Sequence, residues 1–396
     1  MNKTEIEFEI FNKNKNLKTD CDYYRNLNEM VNSTLVKLNL NGQNQETRNG
    51  DAICLYDQET IMLNPLARHL SLKGRTNNIF GTLGEIFWVM GGEKNISPVL
   101  EFFVPRAGLY SDDGKTWNSA YGDRLWKFKQ FHHVFKMFQD DGLLTRRSTA
   151  SIFIPQLDAY ENYIKKNGTM KDVPCNQWLN FYVQEVNNSY YLNLKVNARS
   201  NDIIFGLGNI NIPEFTIIQE MMLSVVRELY PDNDIKLGVY KHNTTNLHVY
   251  NTLEKQFQNI LDSDEYNRSV SIPNGDDFLE AKFPSIFNQY TGETNIYIIQ
   301  NFFSEIVKLF EKTIARYGID EALKILDRIF DKYSVEKENN SLYAYSVLCL
   351  YYIIGKRVEK LEMGDFYEAL KITDKKLVNG LYFAVKNNKF LNFEIL

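Results

Sequence analysis

One cysteine in this chain sits where it could act as a nucleophile. Cys175 lies in the run Val173-Pro174-Cys175-Asn176-Gln177-Trp178-Leu179-Asn180-Phe181-Tyr182-Val183. A lone cysteine is ordinarily a small apolar filler. Here the proline fixes the turn before it, which presents the thiol at the mouth of a strand. A thiolate needs positive neighbours to lower its pKa. Arg48, the pair Arg146-Arg147, and Arg199 could supply them. Arg199 opens a second segment, Arg199-Ser200-Asn201-Asp202-Ile203-Ile204-Phe205-Gly206-Leu207-Gly208-Asn209-Ile210-Asn211-Ile212. Its glycines read as turns in a loop after a strand. No P-loop or GxGxxG pattern is completed. An arginine followed by a serine nonetheless suits an anion, with a fork of donors and a hydroxyl.

Those residues need a scaffold. The chain has 396 residues, 44% of them hydrophobic, enough for a large core. A net charge of -5 gives no case for a nucleic-acid groove, although local arginines suffice for a nucleotide phosphate. Cys21, Cys54, Cys175 and Cys349 are far apart and make no CxxC spacing, so neither a disulfide framework nor a metal site is expected. A reducing cytoplasm fits that usage. The first residues carry no apolar signal region, and the most apolar stretch, Leu342 to Gly355, is too short to span a bilayer.

Residues 1–40 read as a polar extension, with an alternating run at Glu5–Phe11 suited to an edge strand. Residues 41–280 mix strand pairs and helices without regular alternation, which predicts an α+β fold. Helices are expected from Phe80 to a glycine cap, over 123–139 and over Phe215–Leu229, and strands over Thr149–Ile154, Trp178–Glu185, Tyr190–Val196 and parts of Lys236–Tyr250. Residues 281–396 read as an all-helical appendage: Ile298–Tyr317, Asp320–Tyr333, Leu342–Lys360 and one or two more helices to residue 385. His132-His133 and Trp126 fall on the helix over 123–139 and read as structural.

The two segments around Cys175 and Arg199, in this order and 24 residues apart, resemble the thymidylate synthase family. Pro-Cys-Asn-Gln is similar to its catalytic-cysteine stretch. Arg199-Ser200-Asn201-Asp202 with Leu207-Gly208 and Asn211-Ile212 is similar to its Arg-Ser-x-Asp…Leu-Gly…Asn-Ile stretch. Thr47-Arg48-Asn49-Gly50, Gly84-Glu85-Ile86-Phe87-Trp88, Tyr121-Gly122, Thr145-Arg146-Arg147-Ser148 and Asn246-Leu247-His248-Val249-Tyr250 resemble further family motifs across roughly residues 40–260. The resemblance implies a mixed sheet with flanking helices and a homodimer with shared active sites. It implies that Cys175 adds to C6 of a pyrimidine deoxynucleoside monophosphate, making C5 nucleophilic. Arg48, Arg199, Ser200 and the Arg146-Arg147 pair, the pair given by the other subunit, would hold the 5′-phosphate. Asn211 would read the uracil edge, and Glu85 and Tyr121 would manage protons. His248 and Tyr250 would bind the sugar 3′-hydroxyl. Asp202 would bind the pterin of 5,10-methylenetetrahydrofolate, the one-carbon donor; no metal is implied.

The chain departs from the family in four places. Asn176 stands where the family has histidine, and Asn246 where it has aspartate. One extra residue in the glycine loop leaves Asn209 and Asn211 both in reach of the base-reading role; Asn211-Ile212 keeps register with the following helix. No closing tail is legible at Asn392–Leu396. After one-carbon transfer the nucleotide carries a reactive exocyclic methylene. Hydride gives thymidylate and needs a closed, dry site; water gives a 5-hydroxymethyl nucleotide and needs an ordered water. The departures favour water, hence deoxyuridylate hydroxymethylation, a branch of the family found in viruses that modify their DNA bases. Thymidylate synthesis is the alternative. A catalytically silent interaction protein is the third reading, against which stand Cys175, Arg199, Asp202 and His248 together.

Overall fold

The computed structural model describes residues 22–75, 78–160, 171–269, 279–287 and 292–358. The run Glu5–Phe11 and the helices expected beyond residue 360 lie outside them. Eight strands form one mixed sheet: β1 (Asp22–Tyr24), β2 (Gln43–Gln45), β3 (Ala52–Met62), β4 (Thr149–Ser151), β5 (Asn176–Val186), β6 (Ser189–Ala198), β7 (Asn201–Asp202) and β8 (Ile235–Tyr250). The main path runs β1-β3-β8-β6-β5-β4, with β2 on β3 and β7 on β8. The β5–β6 hairpin turns at Asn187 and Asn188, both at positive φ (52° and 61°), which asparagine tolerates better than most residues.

Strand β8 is the spine of the sheet. It is one strand of 16 residues rather than several short stretches. It runs antiparallel to β3 from Ala52↔Tyr250 to Met62↔Tyr240, and parallel to β6 and β7. Alternation sorts the side chains between two faces. Leu179, Phe181, Leu194, Val196, Tyr240 and Met62 point to one face and are fully buried there. Trp178, Asn180, Tyr182, Lys195, Asn197, Lys241 and Asn243 alternate onto the other and are half-buried. That second face carries a Lys195–Glu59 ion pair and the Lys241 ammonium 5.8 Å from the Tyr182 ring.

The helices that pack on the sheet are α1 (Leu27–Asn41) and α5 (Ile212–Leu229), and α2 (Ile79–Met90) packs against α5. Helix α2 is buried along its whole length, which its mostly apolar sequence permits and its Asn78 cap terminates cleanly. The helix expected over 123–139 is two helices, α3 (Tyr121–Lys127) and α4 (Gln130–Asp141), broken where Lys129 adopts φ 56°. Apolar periodicity runs through the break, because Trp126 and Phe131 pack edge to face at 4.7 Å on one core. Trp126 is buried, as expected, and its indole N–H donates to Met90 O. The strand expected over Thr149–Ile154 extends only to Ser151.

Two domain expectations need correction. Residues 1–40 are not wholly a polar extension: β1 pairs with β3, and α1 buries Leu27, Met30, Val31, Leu35 and Leu38 in the main core. Its asparagines misled the reading, since Asn26 caps the helix and Asn28 and Asn32 are buried with hydrogen bonds to Ser71 and Asp264. The C-terminal helices α8 (Tyr297–Ala315), α9 (Ile319–Lys332) and α10 (Ser341–Val358), which follow α6 (Glu254–Leu261) and α7 (Asp264–Ser269), share that core as well. Phe87 on α2 meets Phe303 at 5.8 Å and Phe310 at 5.3 Å, and Phe80 stacks on Tyr352 at 4.4 Å. Ala281 N donates to Glu220 on α5, and His69 meets the Tyr345 hydroxyl at 2.8 Å. The two parts therefore bury one another.

This packing predicts a single cooperative unfolding transition. Phe303→Ala should destabilise the whole chain by about 3–5 kcal/mol, the usual cost of deleting a buried ring. Calorimetry checks it: two transitions, with only the later part of the chain affected, would contradict a shared core.

Candidate active site

The expected site residues gather where several strands end. Proline 174 is buried and β5 begins at Asn176, so Cys175 stands at the strand mouth as the sequence implies. The ladder pairs Asn176 with Ala198, and the Arg199 amide donates to Cys175 O at 2.9 Å. Arg199 is thus fixed beside the cysteine by the sheet itself. Its guanidinium donates to Pro174 O at 3.1 Å and Val173 O at 3.0 Å, and Nη2 reaches Cys175 Sγ at 3.8 Å. Burial pushes the Cys175 thiol up; Arg199 and then Arg48 pull it down, and Asp172 opposes them. Asp172 is anchored by Ser119, whose amide and hydroxyl both donate to it. Cys54 and Cys349 are buried and free, with burial raising both thiols.

Strand β7 places the next residues. Asp202 pairs in register with His248. Its Oδ1 accepts the amides of Ile204 and Phe205 at 2.8 and 2.6 Å and caps the wide helical turn Ile203–Asn211, where the sequence suggested an open loop. Its Oδ2 is buried with no partner among the described residues. Burial raises the carboxyl, offset by those amides, His248 and Arg75. His248 Nδ1 lies 3.0 Å from Asn246 Oδ1 and 3.4 Å from Ser200 Oγ, leaving Nε2 buried with no partner among the described residues. Its ring lies 4.7 Å from that of Tyr250, whose hydroxyl accepts from Asn49 at 3.5 Å. Arg48 is exposed in the adjoining loop and donates to Lys171 O, across from the cysteine loop.

The helices supply the other side. Glu85 on α2 is buried with Oε2 unpartnered, and desolvation raises it to about 8. At pH 7 it therefore carries a proton. The Tyr121 hydroxyl accepts from Asn176 Nδ2 at 3.0 Å, and burial raises that phenol strongly. Asn211 ends the helical turn, its Oδ1 accepting from Asn201 Nδ2 at 3.0 Å. Gly206 crosses above that amide pair, and a Cβ there would fall 2.2 Å from Asn201 Oδ1, so only glycine fits. Asn209 is also buried, its Oδ1 unpartnered.

Arg146 and Arg147 are exposed ahead of β4, and Arg147 is paired with Asp141 of its own chain. They are the expected residues that the sheet does not bring into the cluster. Sequence reasoning also missed several members. Asn201, Arg75 and Glu214 join the cluster through Asn211, Asp202 and Glu85 respectively. By sequence alone Glu214 is a first-turn acid behind Pro213, the kind that complements a helix dipole in solvent. Only its burial reveals it.

A nucleophile held against an arginine, beside a row of buried acceptors, suits an anionic ligand with a polar edge. The thymidylate synthase family model matches residues 32–286. The chain belongs to the thymidylate synthase family. Among relatives it is 34% identical over 329 residues to a deoxyuridylate hydroxymethyltransferase of Delftia phage PhiW-14, covering 82% of this chain and 84% of that protein. It is 29% identical over 262 residues to a deoxyuridylate hydroxymethyltransferase of Bacillus phage SP01, covering 60% of this chain and 62% of that protein. It is 24% identical over 211 residues to a thymidylate synthase of Streptococcus pyogenes serotype M5, covering 52% of this chain and 70% of that protein. The first match is longer than the family segment and the residues before it together, so it runs into the C-terminal helices. That relative therefore shares at least part of these helices. Family membership makes the chain a folate-dependent transferase acting at C5 of a pyrimidine nucleotide, with methylenetetrahydrofolate as co-substrate.

Removing Arg199 should raise the Cys175 thiol further and shrink the thiolate fraction at any given pH. Arg199→Ala is expected to slow iodoacetamide alkylation of Cys175 severalfold at pH 8, because a smaller share of the thiol is ionised. A pH series of the rate checks it; an unchanged profile would detach the arginine from the thiol.

Proposed function

We propose that this protein is a deoxyuridylate hydroxymethyltransferase. The observation that carries the reading is Cys175 buttressed by Arg199, in one fold with buried polar atoms that have no partner among the described residues: Glu85 Oε2, Asn176 Oδ1, Asp202 Oδ2 and His248 Nε2. Buried acceptors without partners cost free energy unless a ligand or water meets them. The likeness to two phage enzymes of that activity supports the choice of product.

In this reading the Cys175 thiolate adds to C6, and C5 becomes nucleophilic. Arg199, Ser200 and Arg48 take the 5′-phosphate. His248 and Tyr250 take the 3′-hydroxyl. Asn211 reads the base: with Asn201 donating to its Oδ1, the amide keeps Nδ2 as a donor suited to uracil O4, and its second lone pair suits N3–H. Glu85, neutral at pH 7, and Tyr121 move protons near O4 and C5. Asp202 Oδ2, a buried acceptor, fits the N–H donors of a pterin. The folate supplies the one-carbon unit. Asn176 beside the nucleophile makes the wall more polar than an apolar hydride-transfer site, which supports water as the final acceptor.

A homodimer belongs to the same reading. The half-buried sheet face with Trp178, Tyr182 and Asn197 suits a second copy, and the exposed Arg146 and Arg147 would then reach the partner's phosphate site. Domain limits near residues 40 and 280 serve only as motif boundaries, given the shared core.

The direct test is to incubate the protein with deoxyuridylate and methylenetetrahydrofolate. The expected product is 5-hydroxymethyldeoxyuridylate without dihydrofolate. Thymidylate with a dihydrofolate absorbance rise would overturn it. Mixing Cys175→Ser and Arg147→Ala subunits should restore up to about a quarter of wild-type activity, since random mixing makes about half of the dimers heterodimers and each of those has one of its two sites intact. No recovery in a verified heterodimer would place the site within one subunit. Asn211→Asp should turn the base preference from uracil toward cytosine by about 100-fold, as mispaired buried groups discriminate strongly. Competition of the two nucleotides in one tube measures it; a shift seen only in Asn209→Asp would move the role to Asn209.

A further inference from the structure

Glu214 is the third residue of α5, after Pro213 sets the first turn. An acid there normally faces solvent. This one is 2% exposed, and neither carboxyl oxygen has a hydrogen-bond partner among the described residues. The Asn211 amide lies near it without reaching bonding geometry. Its neighbour Phe215 stacks on Tyr121 at 5.8 Å, and Tyr121 bonds Asn176, the residue after the nucleophile. Helix α5 packs on α2, which carries Glu85, and the charge of Glu85 raises the Glu214 carboxyl. Two buried carboxyl groups on two helices that pack together thus each keep open lone pairs. Water is the small donor that satisfies such a pair.

We propose that Glu214 is a catalytic residue of the last step, holding with Glu85 the water that captures the exocyclic methylene. The proposal rests on the hydroxymethyltransferase reading. The water oxygen bonds to the methylene carbon. The methylene π pair moves through C5 onto O4 as an enolate, and the water gives one proton to the ionised carboxylate of the pair. The enolate then re-forms C4=O, makes the C5=C6 double bond and expels Cys175 as thiolate. Atoms and electrons balance with no oxidant or reductant. Burial raises both carboxyls and the charge of Glu85 raises Glu214 further, so the pair gives up its protons one at a time, and the singly ionised pair is the form that takes the proton from water. The protonated member donates to the water and the ionised member accepts from it.

The test separates this step from those before it. Tritium at C5 of deoxyuridylate is lost when C5 is deprotonated, before water attacks. In single turnover with methylenetetrahydrofolate, Glu214→Gln should release tritium within about threefold of the wild-type rate. It should form the hydroxymethyl product about 100-fold more slowly or worse. Added 2-mercaptoethanol should then collect the stalled methylene as a 5-thioether. Deoxyuridylate binding within about threefold of wild type shows the variant is folded; if it is not, Glu214→Ser is put through the same assay. Product formed at a near wild-type rate, or tritium release lost in step with product, overturns the role. A wild-type enzyme that makes thymidylate instead overturns the underlying reading, whatever the variants do.

Discussion

Everything at this site depends on the hydrogen-bonded register of β8. One strand bonds β3, β6 and β7, and its far end sets His248 opposite both Cys54 and Asp202. Strand β6, held parallel to it, ends at Ala198 against Asn176. The cysteine, the arginine, the aspartate and the histidine come from three separate stretches of sequence. A slip of one residue in any of these ladders would turn its side chain to the opposite face. The chemistry is therefore as firmly positioned as the sheet, which buries its helix-facing residues almost completely.

The second theme is polarity placed where it cannot be satisfied internally. Among the described residues, Glu85, Asn176, Asp202, Asn209, Glu214 and His248 each leave a buried atom without a hydrogen bond. Native interiors tolerate few such atoms. Others, such as His69 Nδ1, Gln219 Oε1 and His242 Nε2, lie elsewhere in the core, so what marks this group is its company with Cys175 and Arg199. Buried ions elsewhere are paired instead: Arg68 with Glu220, and Arg124 with Asp158.

The motifs made much of this legible. Pro174-Cys175 and Arg199-Ser200 announced themselves because their residue types fall in a fixed order with a fixed gap. The α+β class followed from unalternating strands and helices, and β5, β6, α2 and α5 lie close to their expected limits. Other features were hidden for physical reasons. Helix α1 is rich in asparagine, and burial of polar residues is invisible until their partners, Ser71 and Asp264, are known. The break at Lys129 leaves apolar periodicity intact. The C-terminal helices looked separate because their amphipathic pattern is complete in itself; only the rings of Phe87 and Phe80 show what they cover. Glu214 is identical in sequence to any first-turn acid. No helix of the described residues is long and apolar enough to cross a membrane, in keeping with the short run at Leu342 to Gly355.

The central claim is that Cys175 attacks C6 while C5 takes the one-carbon unit. A deoxyuridylate carrying fluorine at C5 tests it directly, because fluorine cannot leave as a cation and the reaction stops with both bonds formed. Intact-mass and peptide mass spectrometry of the protein after incubation with this nucleotide and methylenetetrahydrofolate reads the outcome. The account predicts one stable adduct per active site, of nucleotide plus folate mass, on the peptide that contains Cys175. An adduct on Cys54 or Cys349, or tight binding with no covalent mass, would contradict it.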